Sequence, residues 1–142
     1  VTFDLQMFPS LKILKCFYST CDYIPTINSL VELHSNCVTK IAYQPNLEDL
    51  YISETAITVL PDTPKLKLLV CNDTPVDDIP LYKNLEYLLC FDTNITSCGS
   101  KNIKYIFSNK TIECDRQNII EYYDNNEHFI KNGYSPLLTY IK

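Results

Sequence analysis

The chain has 142 residues, 46% hydrophobic and 20% charged, the proportions of one ordinary folded domain. A net charge of −5 and a single arginine, Arg116, argue against a nucleic-acid partner, because phosphate binding needs clustered Lys and Arg. With Gly99 and Gly133 as its only glycines it has no phosphate-cradling loop, and no apolar run nears the roughly 20 residues that cross a bilayer.

The opening "VTFDLQMFPS" has neither a basic start nor a long apolar run, so it does not read as a signal peptide. Leu5, Phe8 and Pro9 stand where the closing residues of a repeated unit would. Residues 1–10 are therefore expected to cover the first turn as a cap or partial repeat. From Leu11 the chain repeats a walk of apolar positions: Leu11, Leu14, Cys16, Ser19, Cys21, Ile24, Pro25. The unit opening at Leu30 starts alike with Leu33 and Ser35, but its second half, Val38 and Ile41, comes two residues early. Three units then follow without a gap. Leu47, Leu50, Ile52, Thr55, Ile57, Leu60 and Pro61 are matched by Leu66, Leu69, Cys71, Thr74, Val76, Ile79 and Pro80. Leu85, Leu88, Cys90, Thr93, Ile95 and Cys98 match them again. A sixth unit opens at Ile103, Ile106 and Ser108, with Thr111 in place and Ile112 one position early. Intact units are about 19 residues long, a period that signals a solenoid.

These residues resemble the leucine-rich-repeat motif LxxLxLxxNxLxxLP. The resemblance implies a right-handed leucine-rich-repeat solenoid with a parallel β-sheet on its concave face, six repeats filling residues 11–114. At the motif's Asn position, where the family bonds neighbouring turns through the side-chain amide, this chain holds Ser19, Thr55, Thr74, Thr93 and Thr111. A hydroxyl both donates and accepts, so a Thr ladder is expected to serve partly in that role. The residues support the same architecture without the family name. In "LEDLYIS" Leu50 and Ile52 alternate with Tyr51 and Ser53, the period of a strand. One short strand cannot bury its own apolar face, so the units must stack. Pro25, Pro61 and Pro80 oppose helix early in each return, which is expected to be extended, polyproline-like or 3₁₀.

Residues 115–142 are expected to cap the other end. Ile120 and Tyr123 open a degenerate seventh unit, or Ile119 to Ile130 is helical; Ser135-Pro136 then signals a final helix with Leu137, Leu138 and Ile141 on its apolar face. That helix either caps the solenoid or docks a partner.

Seven cysteines, none in CxxC spacing, make a poor zinc signal, and neither a metal nor a cofactor is expected. Cys16, Cys21, Cys71, Cys90 and Cys98 occupy inward positions as small hydrophobes, whereas Cys37 and Cys114 lie in irregular units. The odd count favours reduced thiols and an intracellular setting. The N-x-T sequons at Asn72, Asn94 and Asn109 read as chance. The wealth of Asn, Ile, Lys and Tyr is similar to the repeat proteins of giant viruses of amoebae or AT-rich protists.

The outward strand positions remain. Leu68, Val70, Tyr87, Leu89, Phe91, Tyr105 and Phe107 make one apolar block on the last three strands, beside an acidic row of Glu54, Asp73 and Asp92. A solvated sheet face should be mostly polar, and a contiguous apolar patch with a charged rim has the anatomy of a protein interface. The expected function is protein–protein recognition, with Tyr51 and the block as contacts and the acidic row favouring a positively charged partner. The alternatives are a homodimer through the same face or the C-terminal segment, and a cover supplied by that segment. Enzymatic activity is not expected. His34 has Glu32 beside it as an orienter, but a nucleophile is missing, since Ser35 points inward and only Cys37 is otherwise near.

Overall fold

Alternation over three or four residues puts every second side chain on one side of an extended backbone. The computed structural model, which describes residues 9–131, stacks such runs into a parallel β-solenoid. Strands β1 (Ile13–Cys16), β3 (Glu32–Ser35), β5 (Asp49–Tyr51), β6 (Leu68–Val70), β7 (Tyr87–Leu89), β9 (Tyr105–Phe107) and β11 (Glu121–Tyr123) lie side by side in that order, all parallel. On the return side β2 (Tyr23–Ile24) pairs with β4 (Lys40–Ile41), and β8 (Ser97–Cys98) with β10 (Glu113–Cys114). The rest of the return path is turn or irregular backbone.

The register aligns like with like. Leu14, Leu33, Leu50, Leu69, Leu88, Ile106 and Tyr122 are successive partners across the sheet, and all but Leu14 are completely buried. Leu30, Leu47, Leu66, Leu85 and Ile103 form a second buried column, and Ile52, Cys71 and Cys90 a third. Each fully buried Leu contributes about 1.5–3 kcal/mol, so the stack as a whole, not any one turn, supplies the core.

Polar ladders accompany the apolar columns. The residue before each opening apolar position bonds the preceding turn: Asn46 Nδ2 donates to Asn28 O (2.6 Å), Asn102 Nδ2 to Lys83 O (2.9 Å) and Asn118 Nδ2 to Lys101 O (3.0 Å). Asn84 reaches Pro64 O, and Ser29 Oγ reaches Leu11 O (2.6 Å). The Thr column behaves differently from expectation. Thr55, Thr74 and Thr93 donate to carbonyls three residues back in their own turn, those of Ile52, Cys71 and Cys90. At this position the hydroxyl closes its own bend, and the inter-turn bonds are carried by the Asn amides and by hydroxyls elsewhere in the unit, such as Ser29 and Thr39.

The C-terminal end corrects the sequence reading. No α-helix occurs among the described residues, and Ile119 to Ile130 is not helical. A seventh parallel strand forms instead, and β12 (His128–Ile130) folds back antiparallel along it. The unit opens one residue earlier than expected. Ile119 and Tyr122 are the core residues, while Ile120 and Tyr123 join the opposite face. A slip of one residue exchanges the faces of a strand. The expected helix after Ser135, and Leu5 and Phe8 of the expected N-terminal cap, lie outside the described residues.

The hairpin that closes this end is built on polar contacts. Tyr122 hydroxyl donates to Asp124 Oδ2 (2.6 Å) and accepts from Ile112 N–H (2.9 Å). Asp124 Oδ1 accepts the N–H groups of Asn126 and Glu127, shaping the bend. Arg116 lies 3.9 Å above the Tyr122 ring and pairs with Glu127 at 2.6 Å. The buried Glu121 carboxylate meets His128 Nε2 at 2.8 Å.

Candidate functional site

The outward face of the sheet presents two columns. In register order the first runs Ile13, Glu32, Asp49, Leu68, Tyr87, Tyr105, Glu121, and the second Lys15, His34, Tyr51, Val70, Leu89, Phe107, Tyr123. The face therefore changes character between β5 and β6, from charged to apolar and aromatic.

On the charged side, His34 Nε2 lies 3.1 Å from Glu32 Oε2, and its ring stacks on Tyr51 with centroids 4.1 Å apart. Asp49 stands beside Glu32 across the strands. Desolvation, then the Glu32 and Glu48 carboxylates, raise the Asp49 pKa above its ordinary value. Ser35 does not join His34. It faces the core, where its Oγ accepts the N–H groups of Cys37 (3.1 Å) and Val38 (3.2 Å). Among the described residues no group of three or more His, Cys, Asp or Glu is arranged to hold a metal ion.

On the apolar side Leu89, Tyr105 and Phe107 form a second buried cluster, separate from the solenoid core. Phe107 is 0% exposed, whereas Val70, Tyr87, Phe91, Ile120 and Tyr123 pack around the cluster half-buried. Tyr87 stacks on Tyr105 at 4.7 Å and 4°, and Phe91 leans on Tyr123 at 6.1 Å. Leu68 and Tyr51 are half-buried too. The expected contact residues thus divide into two sets. Tyr51, Leu68, Val70, Tyr87 and Phe91 reach the surface, while Leu89, Tyr105 and Phe107 lie beneath it and hold the others in place.

The acidic row Glu54, Asp73 and Asp92 is exposed, and its position has a backbone cause. All three adopt left-handed backbone, with φ of 61°, 55° and 55°, as does Tyr18 at 51°. Each turns the chain out of its strand. Asp tolerates this conformation better than most residues. Asn72 Oδ1 receives Phe91 N–H (2.8 Å), and Asn109 Oδ1 receives Asp92 N–H (2.9 Å). These Asn side chains tie neighbouring turns at the rim. Desolvation, then the adjacent Asp92 and Glu54 carboxylates, raise the Asp73 pKa.

Two sets of residues escaped the sequence reading. The Asn column before the opening apolar residue was readable, since Asn46, Asn84, Asn102 and Asn118 all precede a Leu or Ile. Cys37 was hidden by the shortened second unit; its sulfur lies 3.3 Å from Ser19 Oγ, the Thr-column residue of the preceding turn.

No family model matches the chain, and no curated protein or solved structure does either.

Proposed function

We propose that this β-solenoid is a short-repeat leucine-rich-repeat scaffold that recognises a protein partner through the outward sheet face. The apolar half of that face carries the reading. Val70, Tyr87 and Phe91 reach solvent over a packed aromatic layer, next to an exposed acidic row. Rigid aromatic anchors beside a charged rim suit a partner that offers an apolar centre flanked by Lys or Arg. The LxxLxL spacing and the in-register Leu columns support the leucine-rich-repeat assignment.

The test uses the purified chain as bait, with Val70→Glu and Tyr87→Ala as a face variant and Asp73→Asn with Asp92→Asn as a rim variant. A captured protein is lost with the face variant, and with the rim variant its binding weakens and depends less on salt. Capture that survives both variants removes the reading. Light scattering separates self-pairing: a wild-type dimer that the face variant converts to monomer replaces the foreign partner with a second copy.

A further inference from the structure

The first two turns differ from the rest in holding three cysteines together. Cys16 ends β1, and its register partner across the sheet is Ser35. Two residues beyond Ser35, the Cys37 sulfur turns back to 3.2 Å from Cys16 O and 3.4 Å from Cys21 O. The Cys37 sulfur thus stands against both Cys16 and Cys21. Two hydroxyls complete the surroundings, Ser19 Oγ and Ser35 Oγ, each 3.3 Å from Cys37 Sγ.

The hydroxyls are oriented by their other bonds. Ser35 Oγ already accepts two backbone N–H groups, so its own proton is left to donate. Ser19 Oγ accepts Cys21 N–H (3.3 Å), which leaves its proton likewise available to Cys37. In the regular turns the corresponding hydroxyls of Thr55, Thr74 and Thr93 are spent on carbonyls. Donors aimed at a sulfur favour its thiolate. Burial works against ionisation at Cys37, as do the Cys16 and Cys21 carbonyls that accept its S–H, but the hydrogen bonds it receives, first those of the Ser19 and Ser35 hydroxyls, lower its pKa on balance. In the other six cysteines burial dominates and the pKa is raised, to about 11 for Cys16 and about 12 for Cys90. Cys71, Cys90 and Cys98 are also sealed in the core, whereas Cys37 and Cys16 are half-buried, the Cys37 sulfur lying against the Cys16 carbonyl.

We infer that Cys37 and Cys16 are a hydroperoxide-responsive pair, the site of a disulfide that clips the first two turns of the solenoid together. The Cys37 thiolate attacks one oxygen of the peroxide; the O–O bond breaks, and the departing oxygen takes up a proton. Cys37 is left as a sulfenic acid, oxidised by two electrons as the peroxide is reduced. Cys16 then gives up its proton and its sulfur attacks that of Cys37. The S–S bond forms, the S–O bond breaks, and the leaving hydroxide takes the Cys16 proton as water. With hydrogen peroxide the sum is two thiols and one peroxide to one disulfide and two waters. The bond joins neighbouring turns where β1 is the outermost strand of the sheet among the described residues, so reduction and oxidation set how firmly that strand is held.

The experiment uses the full reduced chain and hydrogen peroxide. Trypsin alone leaves Cys16, Cys21 and Cys37 in one peptide, between Lys15 and Lys40; added chymotrypsin, cutting after Phe17, Tyr18 and Tyr23, separates them. Two of the seven thiols are lost, and mass spectrometry finds the peptide of Cys16 joined to that of Cys37. Cys37→Ser abolishes this loss at the same dose, and Cys21→Ser leaves it unchanged. Cys16→Ser halts the sequence at the sulfenic acid, trapped on Cys37 by dimedone. Limited iodoacetamide labels Cys37 at least about 10-fold faster than any other thiol. Circular dichroism confirms that the variants keep the wild-type fold. Survival of all seven thiols, undiminished oxidation in Cys37→Ser, or a linkage through Cys21 overturns the inference.

Discussion

The charged and apolar halves of the outward face share one backbone path and one register, yet differ in how they are held. Around β3 and β5 the outward side chains are half-buried and meet in pairs, His34 lying beside Glu32 and stacking on Tyr51. From β7 to β11 they form a packed layer with a fully buried Phe107. Neighbouring strands thus carry one core on the charged side and two on the apolar side. The solenoid fixes where side chains stand, and their chemistry decides whether a face is solvated or packed.

The sharpest way to break the comparison is to truncate the same column in each half. Phe107→Ala empties the buried layer and is expected to cost about 3–5 kcal/mol, whereas Tyr51→Ala costs under about 1.5 kcal/mol, both by urea denaturation. Equal losses remove the distinction. Next in size is Tyr122→Phe, which strands the Ile112 N–H and the buried Asp124 and should cost about 1–3 kcal/mol. Hydrogen exchange at β11 and β12 should rise more than at β5, because the lesion lies at the end that closes the apolar half. Asn102→Ala removes one inter-turn bond and is expected to cost about 1 kcal/mol, measured by the same denaturation.

The smallest effect is a pH dependence shared by both halves. Asp49 and Asp73 have folded-state pKa values raised above the ordinary 3.8, so the folded chain holds extra protons between 3.8 and the raised values. Stability therefore falls as pH climbs through that window and is regained as pH drops back through it. Asp73→Asn should flatten this slope at the apolar rim and leave the Asp49 contribution intact; melting curves from pH 3 to pH 7 read the difference, and an unchanged slope removes the assignment.

Much of the architecture was legible because the strand period and the unit length act together. Leu50, Leu69 and Leu88 can be aligned on paper, and the sheet pairs them. The alternation also placed Tyr87 and Phe107 on the opposite face, where they are found. The final turn was harder. Ile119 and Ile120 are alike, as are Tyr122 and Tyr123, so spacing alone does not say which member of each pair faces the core. Pairing with β9 chooses Ile119 and Tyr122. The Cys37 site was hidden because a two-residue deletion breaks the count that located every other column member.

Periodicity in the chain determined the stacking, the hidden columns and the division of the outward face, since each depends only on which residue types recur at which interval. Tertiary contact decided the rest: the depth at which Phe107 sits, the hairpin in place of a helix, and the meeting of Cys16 with Cys37. Each of those depends on what a neighbouring turn brings within a few ångströms, and residues far apart along the chain acquire such neighbours only when the coils close on one another.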